Sequence, residues 1–171
     1  FKGNEIAAFT LNGTGIYNGI PTAYDTGTGT LPAYRGQGLA TKIFEHSIPY
    51  LRENGIRQYL LEVLQHNTNA VSVYRKLGLE VSREFNYFRQ DTQAIRKETA
   101  DTGNSFTVKQ INNEDFPGLA EFWDFSPSWQ NSFESVQRAA GDFVSLGAFT
   151  ERQLVGYSIF GAFFGYTPVF G

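Results

Sequence analysis

Downstream of Pro32, and just ahead of a run with helical spacing, the chain reads Tyr34-Arg35-Gly36-Gln37-Gly38-Leu39-Ala40. Small residues let a backbone approach a ligand closely. A helix N-terminus adds unpaired N–H groups with a partial positive charge. Such a loop suits a diphosphate, and Arg35 can add a charged contact. No Gly-Lys-Ser/Thr follows, so it is not a Walker A loop, and the third glycine of GxGxxG is absent. The competing reading is a plain glycine turn entering a helix.

A second constellation follows: Leu61-Glu62-Val63, then Asn67-Thr68-Asn69-Ala70, then Tyr74-Arg75-Lys76-Leu77-Gly78. Asn67 opens a helix, where it can touch a ligand lying between two strands. Tyr74 sits seven residues later, two helical turns on and near the same face. Its phenol can donate a proton to a leaving group. On the competing reading Asn67 only caps the helix and Tyr74 only packs. Glu62 and Asp25 lie on strand-like segments and are candidate general bases, unless they are merely solvated or paired. His46 and His66 are lesser candidates for the same role, and standing 20 residues apart they form no metal-ligand pattern.

The elements that would position these groups can be read from periodicity. Residues 5–11 form a short apolar strand, with Asn12-Gly13 and Asn18-Gly19 as turn signals. Residues 20–31 suit a strand rich in Thr and Tyr, in which Gly27 and Gly29 suit a bulge or a close approach. A helix is predicted over about 39–54, stopped by Asn54-Gly55, with a kink or early end at Pro49. Residues 58–64 read as a strand and 68–77 as a helix closed by Gly78. Residues 80–89 are strand-like, and 90–105 are polar and read as a linker.

The linker divides a first module, 1–89, from a second part, 106–171. The second part reads as a strand (106–111), two helices (113–124 and 132–140, Ser132 capping) and a hairpin (143–149 and 153–160). Residues 5–13 echo 153–161 by residue class, and Leu77-Gly78-Leu79 echoes Phe164-Gly165-Tyr166. The second copy would then lack the middle portion that holds the glycine loop. Trp123, Phe125 and Trp129 are expected to pack in the core, or to line an acceptor pocket or cover the gap. Phe160, Phe163, Phe164, Tyr166 and Phe170 crowd the C-terminal end.

Composition narrows the function classes. The 171 residues carry a formal charge of −3, with 41% hydrophobic and 18% charged residues. That is a globular composition and argues against a basic, nucleic-acid-coating surface. No apolar run reaches the roughly 20 residues needed to cross a bilayer. There is no Cys, so disulfides, thiolate metal sites and cysteine nucleophiles are excluded, and no metal is expected. There is also no Met, even at position 1, which suggests that residues are missing from the chain. Lack of cysteine and of an export signal suggests the cytoplasm.

Together the two constellations resemble the GNAT superfamily, the Gcn5-related N-acetyltransferases. The family pattern Arg/Gln-x-x-Gly-x-Gly/Ala is met by Arg35, Gly38 and Ala40. The later Asn-x-x-Ala-x-x-x-Tyr-x-x-x-Gly is met by Asn67, Ala70, Tyr74 and Gly78. The resemblance covers about residues 1–88, and the family's first strand and helices do not precede Phe1. It implies an α/β (α+β) fold: a mixed, mostly antiparallel sheet flanked by helices, with splayed central parallel strands. Residues 106–171 would be a second, degenerate module, making the whole a tandem GNAT protein.

The resemblance also implies roles. Acetyl-CoA would lie in a V-shaped gap between 22–31 and 58–64. Main-chain groups of Arg35, Gly36, Gln37, Gly38, Leu39 and Ala40 would hold its diphosphate. Backbone groups near Thr30 and Leu31 would align the pantetheine and polarise the thioester. Asn67, beside Ala70, would touch the pantetheine arm. Tyr74 would protonate the departing thiolate in a direct transfer to a primary amine, small or peptidic, with Glu62 or Asp25 as base. No nucleic acid or membrane partner is expected, and the chain would be a monomer or a homodimer. The alternative is a non-catalytic acyl-CoA sensor or partner-binding module on the same fold.

Overall fold

The computed structural model describes residues 1–91 and 106–161. It is a mixed α+β structure with two three-stranded sheets. Linker residues 92–105 and the C-terminal aromatics from Phe163 onward, with the Phe164-Gly165-Tyr166 echo, lie outside the described residues.

The first sheet begins with a hairpin, β1 (Ala8–Tyr17) and β2 (Ile20–Thr30), paired antiparallel. Its turn is Asn18-Gly19, both with positive φ (50° and 76°). This is the primed-turn geometry whose twist matches the flanking strands. The other expected turn, Asn12-Gly13, is instead inside β1. The register slips there: Leu11 faces Gly27 and Asn12 faces Asp25, leaving Thr26 as an extra residue in β2.

Helix α1 (Leu39–Glu53) follows and ends as expected, with Gly55 at φ 81° and the Ile56 N–H bonded back to Leu51 O at 3.0 Å. The early end expected at Pro49 does not occur. Pro49 and Glu45 are both exposed, so water can satisfy the carbonyl that the proline leaves unbonded.

Strand β3 (Gln58–Leu60) pairs parallel with β2 through Thr22, Ala23 and Tyr24. It is shorter than the 58–64 expected, because it leaves β2 beyond Leu60. Helix α2 (Thr68–Lys76) closes at Gly78 (φ 84°). Residues 80–89 form no strand; they are exposed and pair with no sheet edge.

In the second part β4 (Thr107–Gln110), β5 (Phe143–Thr150) and β6 (Gln153–Gly161) form an antiparallel sheet in that order. The expected helix over 113–124 is broken into short turns around α3 (Phe116–Leu119), Pro117 and Gly118 being poor helix formers. Helix α4 (Phe133–Arg138) is capped by Ser132, whose Oγ accepts from Ser135 N–H at 3.3 Å. Ile111, Phe116, Leu119 and Val136 form this part's core. Tyr17, Tyr24 and Trp129 form a second cluster that joins the two parts.

Candidate active site

β2 runs on to Thr30, whereas its pairing with β3 stops at Tyr24 and Leu60. The strands therefore part at Asp25, leaving a gap along the last residues of β2. At about 3.3 Å per residue, Asp25 to Thr30 spans about 16 Å. The Leu31 N–H donates to Ala7 O at 3.0 Å, so Leu31 is turned towards β1. Strand alternation turns the Thr30 N–H and C=O the other way, into the gap. Of the two residues read as pantetheine contacts, Thr30 alone presents its main chain there.

The glycine loop stands at the open end of the gap. Gly36 (φ 74°) and Gly38 (φ 71°) both adopt the left-handed conformation that favours glycine. Gly38 is the N-cap of α1, and with no side-chain cap the first-turn N–H groups of Leu39 and Ala40 remain presented to solvent. No acidic residue sits in that turn to repel an anion. Arg35 Nε donates to Thr30 O at 3.2 Å and Gln37 Nε2 to Ala33 O at 3.4 Å. The first of these bonds ties the loop to the end of β2.

At the closed end, the bulge shapes the chemistry. The extra residue Thr26 brings Thr28, opposite Thr10, onto the same face as Asp25, opposite Asn12. Asp25 Oδ1 accepts from Gly27 N–H at 2.9 Å, and Oδ2 from Thr28 Oγ1 at 2.8 Å and from Tyr74 Oη at 3.2 Å. Burial pushes the Tyr74 phenol up to about 12, helped by the Asp25 charge and hydrogen bond. Tyr59 lies on the same face and donates to Asn12 Oδ1 at 2.7 Å; burial, then the Asp25 charge, raise its pKa as well. Phe44 of α1 meets the Tyr59 ring edge-on at 4.8 Å and closes this side.

The other face of the sheet carries Tyr24 and Glu62. Burial raises the Tyr24 pKa, and the nearby, exposed Glu62 carboxylate raises it further. Trp129 of the second part stacks on Tyr24, centroids 4.8 Å apart and planes 7° apart. The two candidate bases therefore occupy opposite faces of β2 and β3. Sequence reasoning named both carboxylates but not Thr28, Tyr24 or Tyr59; the Thr-Gly-Thr-Gly run that permits the bulge was the available signal for Thr28.

Asn67 caps α2, its Oδ1 accepting from Ala70 N–H at 3.3 Å. His46 is exposed and edge-on to Tyr50, and His66 is exposed in the loop before α2; neither is among the hydrogen-bond partners of Asp25. Trp123 is internal to the second part, stacked on Phe133 and donating to Tyr157 Oη. Phe125 is 66% exposed and so is not core. Among the described residues no helix is long and apolar enough to cross a membrane.

Residues 3–79 match the model of the acetyltransferase (GNAT) family. The likeness to the GNAT family runs through this segment, a little under half of the chain. Its matched range contains the hairpin, the glycine loop, α1, the gap and α2. The chain is 36% identical over 64 residues to N-alpha-acetyltransferase 30 of Schizosaccharomyces pombe, covering 37% of this chain and 43% of that protein. It is 35% identical over 97 residues to thialysine N-epsilon-acetyltransferase of Mus musculus, covering 50% of this chain and 55% of that protein. The chain thus spans about half the length of these curated relatives. An aminoglycoside acetyltransferase from an uncultured soil metagenomic sample superposes with a TM-score of 0.45 at 17% identity, covering 52% of this chain and 59% of that one.

Proposed function

We propose that the protein transfers an acetyl group from acetyl-CoA directly to a primary amine in a ternary complex. The observation that carries this reading is one alignment. An anion-accepting loop stands at the open end of the gap, and the Tyr74 hydroxyl stands at its closed end. A diphosphate on the loop and a thioester beside Tyr74 are what one extended acyl-CoA would require. Residues 36–40 hold the diphosphate, the Thr30 main chain aligns the arm, and Tyr74, protonated at neutral pH, gives the departing thiolate its proton. The match of residues 3–79 to the GNAT family model supports the reading, as do the acetyltransferase names of its relatives.

An amine is mostly protonated at pH 7 and must lose a proton before it attacks. Glu62, exposed on the face opposite α1 and α2, is the carboxylate that can draw in a cationic amine and take that first proton. The second sheet, with its strand, helical turns and hairpin in the order expected for the front half of the family fold, is read as a partial second module.

The test is thiol release from acetyl-CoA with a panel of primary amines that includes thialysine and a peptide with a free N-terminus. Tyr74→Phe should slow turnover by about 10²–10⁴-fold and leave acetyl-CoA affinity within about twofold. Tight acetyl-CoA binding without thiol release for any amine would instead make the protein a sensor.

A further inference from the structure

Asp25 does not stand alone as a base. Its Oδ2 is bonded to the Tyr74 hydroxyl at 3.2 Å, and the bulge holds it there through Thr28 Oγ1 at 2.8 Å and Gly27 N–H at 2.9 Å. An ionised carboxylate has about four lone-pair positions, and these donors occupy three. One remains for a proton arriving from the gap, which Asp25, only half-buried, borders. In acetyl transfer, the attacking nitrogen and the leaving sulfur are bonded to one carbon. They can be no farther apart than two covalent bonds allow, a separation comparable to the distance between the two oxygens of this pair.

The geometry points to Asp25 and Tyr74 acting as one proton-transfer unit that collects a proton from the attacking nitrogen and returns one to the departing sulfur. This rests on the acetyl-transfer reading above. The neutral amine adds to the thioester carbonyl, forming the C–N bond and leaving a positive nitrogen and an oxyanion. The nitrogen gives one proton to Asp25. The oxyanion collapses, the C–S bond breaks, and the sulfur takes the Tyr74 phenolic proton. In that same step Asp25 passes its proton across the existing hydrogen bond to the Tyr74 oxygen, so that two protons move together. The products are an amide and free CoA thiol, and the pair ends in its starting state.

The two transfers also need each other. While Asp25 is charged, the Tyr74 phenol stands at about 12, a poor acid towards a thiol whose ordinary pKa is about 8.5. Burial is the larger cause of that rise and stays, but protonating Asp25 removes the two causes it adds, its charge and its role as acceptor, as the sulfur needs the proton.

A double-mutant cycle tests this, using single-turnover acetyl transfer from acetyl-CoA to the fastest acceptor in the amine panel. Asp25→Asn and Tyr74→Phe are each expected to slow the step by about 10²-fold or more. The double variant should be no more than about threefold slower than the slower single variant, as for residues that act as a unit. A double variant slowed by the product of the two losses would overturn the proposal. Should a variant fail to fold, the wild type still decides through its single-turnover rate in mixtures of light and heavy water. A bowed dependence on deuterium content means that two protons move together; a linear one, or no isotope effect, overturns the proposal. A wild-type protein that acetylates no amine would instead sink the acetyl-transfer reading, an outcome distinct from additive losses in an active enzyme.

Discussion

Tyr74 was singled out from its spacing alone, seven residues after Asn67, and the structure brings it to Asp25, 49 residues away in sequence. No periodicity could have revealed that pairing, because it depends on where β2 and β3 part. Asn67 is the converse case: the structure shows it capping its helix, the plainer of its two readings. The buried tyrosines make a prediction at this scale. Tyr24, Tyr59 and Tyr74 all have folded pKa values above the ordinary value of about 10. The stability they contribute is fully present below about pH 10, and it is lost as the pH climbs from there through their folded values. Melting temperature should therefore fall steeply above about pH 10, and tyrosinate absorbance should rise together with unfolding. Free titration of all the tyrosines at ordinary pH in a still-folded protein would contradict the buried cluster.

Among the elements, α1 and α2 and their stops were legible because caps and glycine stops act locally: Asn67, Gly55 and Gly78 all serve as read, whereas the helix expected over 113–124 is broken at Pro117 and Gly118. Strand lengths were not. Residues 61–64 look like a strand by composition, yet the ladder ends at Leu60, and the missing pairing is itself the gap. Asn12-Gly13 is a turn signal overridden by tertiary context, since Gly13 is needed for a close approach. A Cβ there would lie 2.9 Å from Trp129 Cη2 and 3.3 Å from Thr26 Cγ2. Gly13→Val should therefore destabilise by about 1–3 kcal/mol through overpacking, although valine suits a strand better than glycine. Denaturant unfolding would show it as a lower midpoint, and an unchanged or raised midpoint would mean that Trp129 is not seated on β1.

In the whole molecule most of the expected linker, 92–105, lies outside the described residues, but contacts between the two parts are clear. Tyr17 Oη donates to Pro127 O at 2.6 Å, and Arg83 reaches both Ser126 O and Tyr17 Oη. Trp129 lies between Tyr24 and the Arg138 guanidinium, which stands 4.9 Å from its ring. Its Nε1 is buried without a hydrogen-bond partner among the described residues, so stacking and burial hold it in place. Trp129→Ala should cost about 3–5 kcal/mol and shift the unfolding midpoint accordingly. The glycine loop carries the larger question of whether the gap takes acetyl-CoA at all. The most direct measurement is thermal unfolding with and without acetyl-CoA at about 100 times its dissociation constant, on the wild type and on Gly38→Val. Binding to the folded state alone adds about 2.7 kcal/mol, or about 5–10 °C in a chain of this size. A Cβ at Gly38 would meet no neighbour within 4 Å, but valine cannot easily hold φ at 71°, so it should disturb the loop locally. The expected result is a clear rise for the wild type that is lost in Gly38→Val. No rise in the wild type, or an equal rise in both, would contradict an acyl-CoA diphosphate seated on this loop.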